Sequence, residues 1–253
     1  MITLLNNEVW GRDEILAHMD SDEFYYGHLG QHALSSSSLK LLLKSPKTYR
    51  NVLKYGQNES KALTDGKLLH WLVLEPHKMD ALHIVDAQDK RSKAYKDAKQ
   101  NHSEVYLRKE IDGIERLADA ILRNEAALEL LQNAEFEVPE IGMINDLAFR
   151  AKADILKQDC VIDLKSSQDL NTFKYSADKY GYDLQAWLYL KLFNKSKAVF
   201  LVVDKNSTDI GIFETSEEFL EGGRLKFERA VERYKYFFEQ DNDLDQYVLR
   251  ATL

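Results

Sequence analysis

The apolar positions change period along the chain. Leu34-Ser35-Ser36-Ser37-Ser38 runs into Leu39, Leu41, Leu42 and Leu43, which predicts a serine-capped helix broken near Pro46. Ser60 starts a second predicted helix, ending near Glu75 before Pro76. Asp86 to His102 is polar and basic and reads as a loop or a mobile helix. Val105 to Leu131 carries Ile111, Ile114, Leu117, Ile121 and Leu128 at helical spacing. The period then shortens. Glu135–Ile144 and Leu147–Leu156 read as strands joined by a tight Asn145-Asp146 turn, with Pro139 marking an edge or a bulge. Val161–Lys165 is a third strand, Thr172–Phe193 a helix, Ala198–Val203 and Ile210–Phe213 two more strands, and Ser216–Phe238 a last amphipathic helix. The sum is an α+β chain, a small mixed sheet flanked by helices with a helical region before it. We expect a single domain, with 1–132 mainly helical, 133–240 holding the sheet and 241–253 a tail.

Strand alternation gives the central region its chemical interest. Ala148, Arg150, Lys152, Asp154 and Leu156 share one face of their strand, and Val161, Asp163 and Lys165 one face of the next. Asp154 and Asp163 can thus converge on one side of a bent hairpin, with Lys165 beside them. Two carboxylates suit hard divalent cations. Such ions activate water and stabilise the leaving oxygen of a phosphate ester, and a lysine neutralises charge that develops there. A surface ion-pair hairpin has the same spacing. His70 lies in the apolar run Gly66 to Leu74, either as a satisfied core histidine or as a ligand. Gln185 and Tyr189 lie four apart on one helix face, a spacing also found on any half-exposed helix.

Composition narrows the field. The 253 residues are 44% hydrophobic and 30% charged, ordinary for a globular protein. No apolar run approaches the roughly 20 residues of a membrane helix, so no membrane association is expected. Met1 to Trp10 lacks the features of a secretory signal. The single cysteine, Cys160, excludes a four-cysteine cluster and fits a reducing cytoplasm. The net charge of −8 argues against a general DNA-coating protein. Its distribution is uneven. Lys40, Lys44, Lys47, Arg50, Lys54 and Lys61 cluster with Glu59 as the only acid among them, and Lys90, Arg91, Lys93, Lys96 and Lys99 form a second basic stretch. These are solvated helix faces or surfaces for a polyanion. On the second reading Ser35 and Ser37, at a helix start, receive a phosphate, and Lys44, Arg50, Arg150 and Lys152 line the path of the DNA to Asp154.

Four motifs in order resemble PD-(D/E)XK nucleases of the RecE and lambda-exonuclease kind. They are Gly66 to His70, Arg150-Ala151-Lys152-Ala153-Asp154, Ile162-Asp163-Leu164-Lys165-Ser166, and Tyr182-Asp183-Leu184-Gln185-Ala186-Trp187-Leu188-Tyr189. The opening Leu34 to Leu39 with Ser45-Pro46-Lys47-Thr48-Tyr49 is also similar to the RecE type, and the resemblance covers residues 30 to 240. It implies a restriction-endonuclease-like core and an exodeoxyribonuclease using two Mg2+ ions, with Mn2+ as a substitute. Asp154 and Asp163 would bind metal with His70 and the Leu164 carbonyl, and Lys165 would be the catalytic lysine. Gln185, Tyr189 and Tyr182 would position DNA. Glu135 is the named upstream acid, with Glu137 on the same strand face competing and Glu140 past Pro139 a third choice. The resemblance further implies 5′→3′ resection of double-stranded ends, a RecT-like annealing partner, a ring-shaped homo-oligomer and a phage or prophage setting in a bacterial host. Two alternatives are a CRISPR-adaptation or helicase-associated nuclease of the same superfamily, and a non-catalytic DNA-binding module. No P-loop is present for the helicase, and a pure binding module has no use for carboxylates facing phosphate.

Overall fold

The computed structural model describes residues 1–56 and 60–250. Glu59, the acid within the first basic segment, and the end of the 241–253 tail lie outside the described residues. In chain order the first elements are β1 (Ile2–Thr3), β2 (Val9–Trp10), α1 (Arg12–His18), a π-helical turn (Glu23–His28) and α2 (Leu29–His32). Then follow α3 (Ser36–Lys44), α4 (Pro46–Tyr55), α5 (Lys61–Leu74), β3 (His83–Val85), α6 (Lys93–Asn101), β4 (Val105–Leu107), α7 (Arg108–Arg123) and α8 (Glu125–Leu131). The second part holds β5 (Glu135–Ile144), β6 (Leu147–Leu156), β7 (Cys160–Ser167), α9 (Phe173–Lys179), α10 (Tyr182–Phe193), β8 (Lys197–Asp204), β9 (Ile210–Glu214) and α11 (Glu217–Tyr234).

The α+β class holds, with a five-stranded mixed sheet in the order β5-β6-β7-β8-β9. Within this sheet β7 and β8 are the pair that runs parallel, and α9 and α10 make the crossover between them. One face of the sheet packs against α5 and α7 through Leu68, Leu69, Ile114, Ile155, Ile162 and Leu164. The other packs against α3, α10 and α11 through Phe149, Ala151, Leu184, Leu188 and Phe227. Covering both faces explains why Phe149, Ala151, Ala153 and Ile155 are fully buried and Arg150 and Asp154 nearly so.

Two expected boundaries differ. Thr172–Phe193 is not one helix. Gly181 sits between α9 and α10 at φ +64°, a left-handed conformation that glycine adopts without a Cβ clash. Val105–Leu131 begins as a strand that pairs in parallel with His83–Val85, and Asn124 then caps a separate helix by accepting from Ala127 N–H at 3.0 Å. The segment Asp86–His102, expected as a loop or a mobile helix, contains the helix α6, started by Ser92 accepting from Tyr95 N–H.

The strand pair that carries the site is a fork. β6 and β7 pair only at Ile155↔Ile162 and Leu156↔Val161, then separate. Further along, the edge of β6 left by β7 is taken up by Leu34. Its N–H donates to Ala148 O at 2.9 Å, and its O accepts from Arg150 N–H at 2.8 Å. This satisfies backbone groups that would otherwise be buried and unpaired. It also sets the start of α3, two residues later, beside the open fork.

Candidate active site

Five elements meet at the mouth of the fork: β5, β6, β7, α5 and α10. β6 brings Asp154, whose Oδ2 accepts from Leu164 N–H at 2.8 Å across the separated strands. The carboxylate replaces the ladder bond that β6 no longer offers. α5 brings His70, with Nε2 2.9 Å from Leu164 O and Nδ1 3.6 Å from Asp154 Oδ1. β5 brings Glu137, opposite Asp154 between the pairs Phe136↔Ile155 and Val138↔Ala153, with Oε1 3.5 Å from His70 Nδ1. Among the described residues, ligand atoms of His70, Glu137 and Asp154 all lie within 4.8 Å of one another.

Asp163 and Lys165 stand on the next strand. Asp163 Oδ1 accepts from Gln185 Nε2 of α10 at 2.6 Å, and Asp163 Oδ2 forms an ion pair with Lys165 Nζ. Lys165 also lies 5.3 Å from the Tyr182 ring centroid. The two aspartates therefore do not simply share one sheet face. Asp154 is met by α5 and Asp163 by α10, so helices from both sides of the sheet reach the same fork.

The electrostatics describe a site that favours a cation. Burial, with the charges of Asp163 and Glu137, pushes the Asp154 carboxyl up to about 7 despite His70 and Lys165. Burial alone would lower the His70 imidazolium, but the charge of Asp154 and the hydrogen bond to Glu137 outweigh it and raise it to about 9. Burial likewise disfavours the Lys165 ammonium, and Asp163 and Asp154 reverse this, lifting it above the ordinary lysine value. Oxygen ligands with one imidazole suit Mg2+ or Mn2+. Such an ion could be held by Asp154 and Glu137 with Nδ1 of His70, whereas Nε2 of His70 faces the Leu164 carbonyl expected as a further ligand.

Several expected residues have other places. Glu135 is exposed at the start of β5, two residues short of the cluster. Glu140 is held by Arg12, whose Nε donates to its Oε1 at 3.0 Å. Of the acids on β5 considered for the upstream position, Glu137 is the one that reaches the cluster. Arg150 was expected along a DNA path but is 8% exposed; its Nε donates to Leu29 O at 3.2 Å, and its guanidinium lies 4.5 Å from the Tyr25 ring centroid. It ties β6 to the N-terminal layer. Lys152 is half-buried, 4.8 Å from the same ring centroid. Tyr189 is 9% exposed within the α10 core, its phenol hydrogen-bonded to the backbone of Lys152, so it supports β6 from behind. Ser35 is buried in a capping box with Ser38, each accepting from the other's N–H at 3.3 Å. Ser37, Lys44 and Arg50 are exposed. Sequence reasoning missed Tyr25, on the π-helical turn, and gave Lys40 no place in the site.

A family model described as "PDDEXK-like domain of unknown function (DUF3799)" matches residues 35–244, and the chain belongs to that family. The match spans the fork, α3, α5, α10 and α11. A crystal structure of a candidate exonuclease from Eubacterium rectale is similar with a TM-score of 0.68 at 15% identity, covering 92% of this chain and 95% of that one. At that identity the likeness is one of fold. A phage-related exonuclease from Haemophilus somnus 129PT aligns over 85% of this chain and 99% of its own at 14% identity, with a TM-score of 0.36. A comparison with curated proteins found no match.

Proposed function

We propose that this chain is a metal-dependent DNA exonuclease. The observation that carries the reading is the fork on a PDDEXK-like fold, where Asp154, Glu137 and His70 converge with the Leu164 carbonyl while Asp163 and Lys165 stand alongside. Mg2+, or Mn2+ in its place, would supply a polarised water and charge neutralisation at the phosphate. The chain's own groups do the rest. Asp154 and Glu137 orient the ligand set, and Asp154 locks the fork open by holding Leu164 N–H. Asp163 fixes the Lys165 ammonium, which offsets negative charge on the phosphate as the bond breaks. Removing such a group costs about a hundredfold to a thousandfold in rate, which is the loss expected for Lys165→Ala.

Exposed Lys44, Arg50 and Ser37, with Lys152 nearer the fork, are the proposed route of a duplex end. The resemblance to the RecE type adds 5′→3′ polarity, 3′ single-stranded products and a strand-annealing partner to the proposal. Two end-labelled linear duplexes, one labelled at 5′ and one at 3′, and a covalently closed circle are digested with Mg2+. Early release of the 5′ label with the circle intact is expected. Cleavage of the circle would contradict an end-dependent enzyme, and early release of the 3′ label would reverse the polarity.

A further inference from the structure

We propose that Lys40 of α3 is a positioning residue of the catalytic centre, acting through Gln185 on Asp163. The kinetic part of this inference rests on the nuclease reading above. Lys40 Nζ donates to Gln185 Oε1 at 3.1 Å, and Gln185 Nε2 donates to Asp163 Oδ1 at 2.6 Å. The two ends of a glutamine amide are nearly alike in shape. Alone, the amide could sit either way. A cation at one end and a carboxylate at the other leave a single orientation, because the flipped amide would turn its NH2 to an ammonium and its carbonyl to a carboxylate. With Oδ1 taken by the amide, Asp163 presents Oδ2 to Lys165. The rotamer of Asp163 and the place of the Lys165 ammonium thus depend on a cation from the N-terminal helical layer.

The fold provides for Lys40 in two further ways. Its stem runs along Gly181, where a Cβ would lie 3.5 Å from both Lys40 Cγ and Lys40 Cε. Its ammonium lies 5.3 Å from the Tyr182 ring centroid, as does that of Lys165. Tyr182 is therefore a shared aromatic partner for two cations, one from each half of the chain. Burial first, then the charge of Lys165, lower the Lys40 ammonium to about 8, against the opposing pull of Asp163 and Asp183. A lysine there is held at a cost that an exposed cation avoids.

The test is a double-mutant cycle in the full chain with Lys40→Met, Lys40→Arg, Gln185→Leu and the double variant Lys40→Met/Gln185→Leu. Residues that orient catalytic ligands typically contribute 10–100-fold. Lys40→Met should lower kcat by about that factor with KM for a linear duplex nearly unchanged. Lys40→Arg, which keeps a donor for Gln185 Oε1, should recover most of it. The double variant should be no slower than Gln185→Leu alone. A raised KM with kcat intact, or losses that multiply in the double variant, would overturn the inference and make Lys40 a direct DNA contact. The second readout needs no activity. In the metal-free protein the side-chain amide resonances of Gln185 should shift in Lys40→Met and stay near their original positions in Lys40→Arg. Unchanged resonances in Lys40→Met would overturn the inference even in an active enzyme. If the wild-type chain cleaves no DNA, the nuclease reading fails and the amide resonances still decide the role of Lys40. Should Lys40→Met not fold, Gln185→Leu and Gln185→Leu/Lys40→Arg pose the same question, with equal kcat expected and unequal kcat excluding the link.

Discussion

Glu137 adopts φ +51° in the middle of β5. A left-handed backbone costs a residue with a Cβ about 1–2 kcal/mol, and here it accompanies a carboxylate placed 3.5 Å from His70 Nδ1. The charge of Asp154 first, then the hydrogen bond to Glu137, leave a histidine that holds its proton. Its folded pKa, about 9, is above the ordinary value, so its contribution to stability is complete below about 6.5 and is lost as pH rises through about 9. Asp154, raised to about 7, gives a second loss. The unfolded chain releases that proton first, and the metal-free fold loses stability between about 4 and about 7. A divalent ion must displace the His70 proton. Mn2+ affinity should therefore rise with pH through neutrality and level off near pH 9, with proton release on binding. Calorimetry in buffers of different ionisation enthalpy measures this, and an affinity independent of pH between 6.5 and 9 would contradict it. Strand parity singles out Asp154, Asp163 and Lys165 in the sequence, but it does not show that α5 meets Asp154 and α10 meets Asp163. It could not separate Glu135 from Glu137, because both have the same parity. Only the register that sets Glu137 opposite Asp154 decides between them. Parity does distinguish Glu140, which faces the other way, toward Arg12.

At the scale of elements, the site depends on how tightly α10 is held. Gly223 of α11 packs against the first turn of α10 so closely that an added Cβ would lie 2.2 Å from Asp183 O. Asp183 is itself buried and bound by Lys226 Nζ at 2.8 Å. Gly223→Ala must separate the two helices, at a cost of about 1–3 kcal/mol, or roughly 2–4 °C in Tm for each kcal/mol in a domain of this size. Gly222→Ala meets only the Asp183 Oδ2 atom at 3.3 Å and is the matched control. Thermal melts should show a clear drop for the first and little for the second; equal Tm values would contradict the packing argument. Helical periodicity found α10 and α11 but ran through Gly181, although a glycine within an apolar pattern is a signal for a break. The splay of β6 from β7 left no mark in the pattern. Both strands read as continuous because the fork is closed by a side chain, Asp154, and by Leu34 from a distant segment. For the same reason Lys40 could not be found. Its role comes from α3 docking on α10, and spacing along one helix carries no information about the helix it meets.

Over the whole molecule, charge is less available than the sequence suggests. Lys47 pairs with Asp245, Lys61 with Asp65, Lys90 with Glu110 and Arg91 with Asp89. Exposed pairs of this kind contribute little to stability, but they neutralise two cations in each basic stretch. Lys44, Arg50 and Lys54 remain as exposed cations on α3 and α4, close in sequence to Lys40. Among the described residues no helix is long and apolar enough to cross a membrane. The first 32 residues form a layer of short elements whose Leu29 carbonyl and Tyr25 ring hold Arg150. The account stands or falls on the fork as a cation site. The most direct measurement is calorimetric titration of Mn2+ into the wild-type chain and into Asp154→Asn, each first melted in chelator. Asp154→Asn keeps an acceptor for Leu164 N–H and removes a crowded buried charge. It should melt at or above the wild-type temperature, by on the order of 1 kcal/mol, and show no saturable Mn2+ binding where the wild type binds. A folded Asp154→Asn that binds Mn2+ as tightly as the wild type would contradict the assignment.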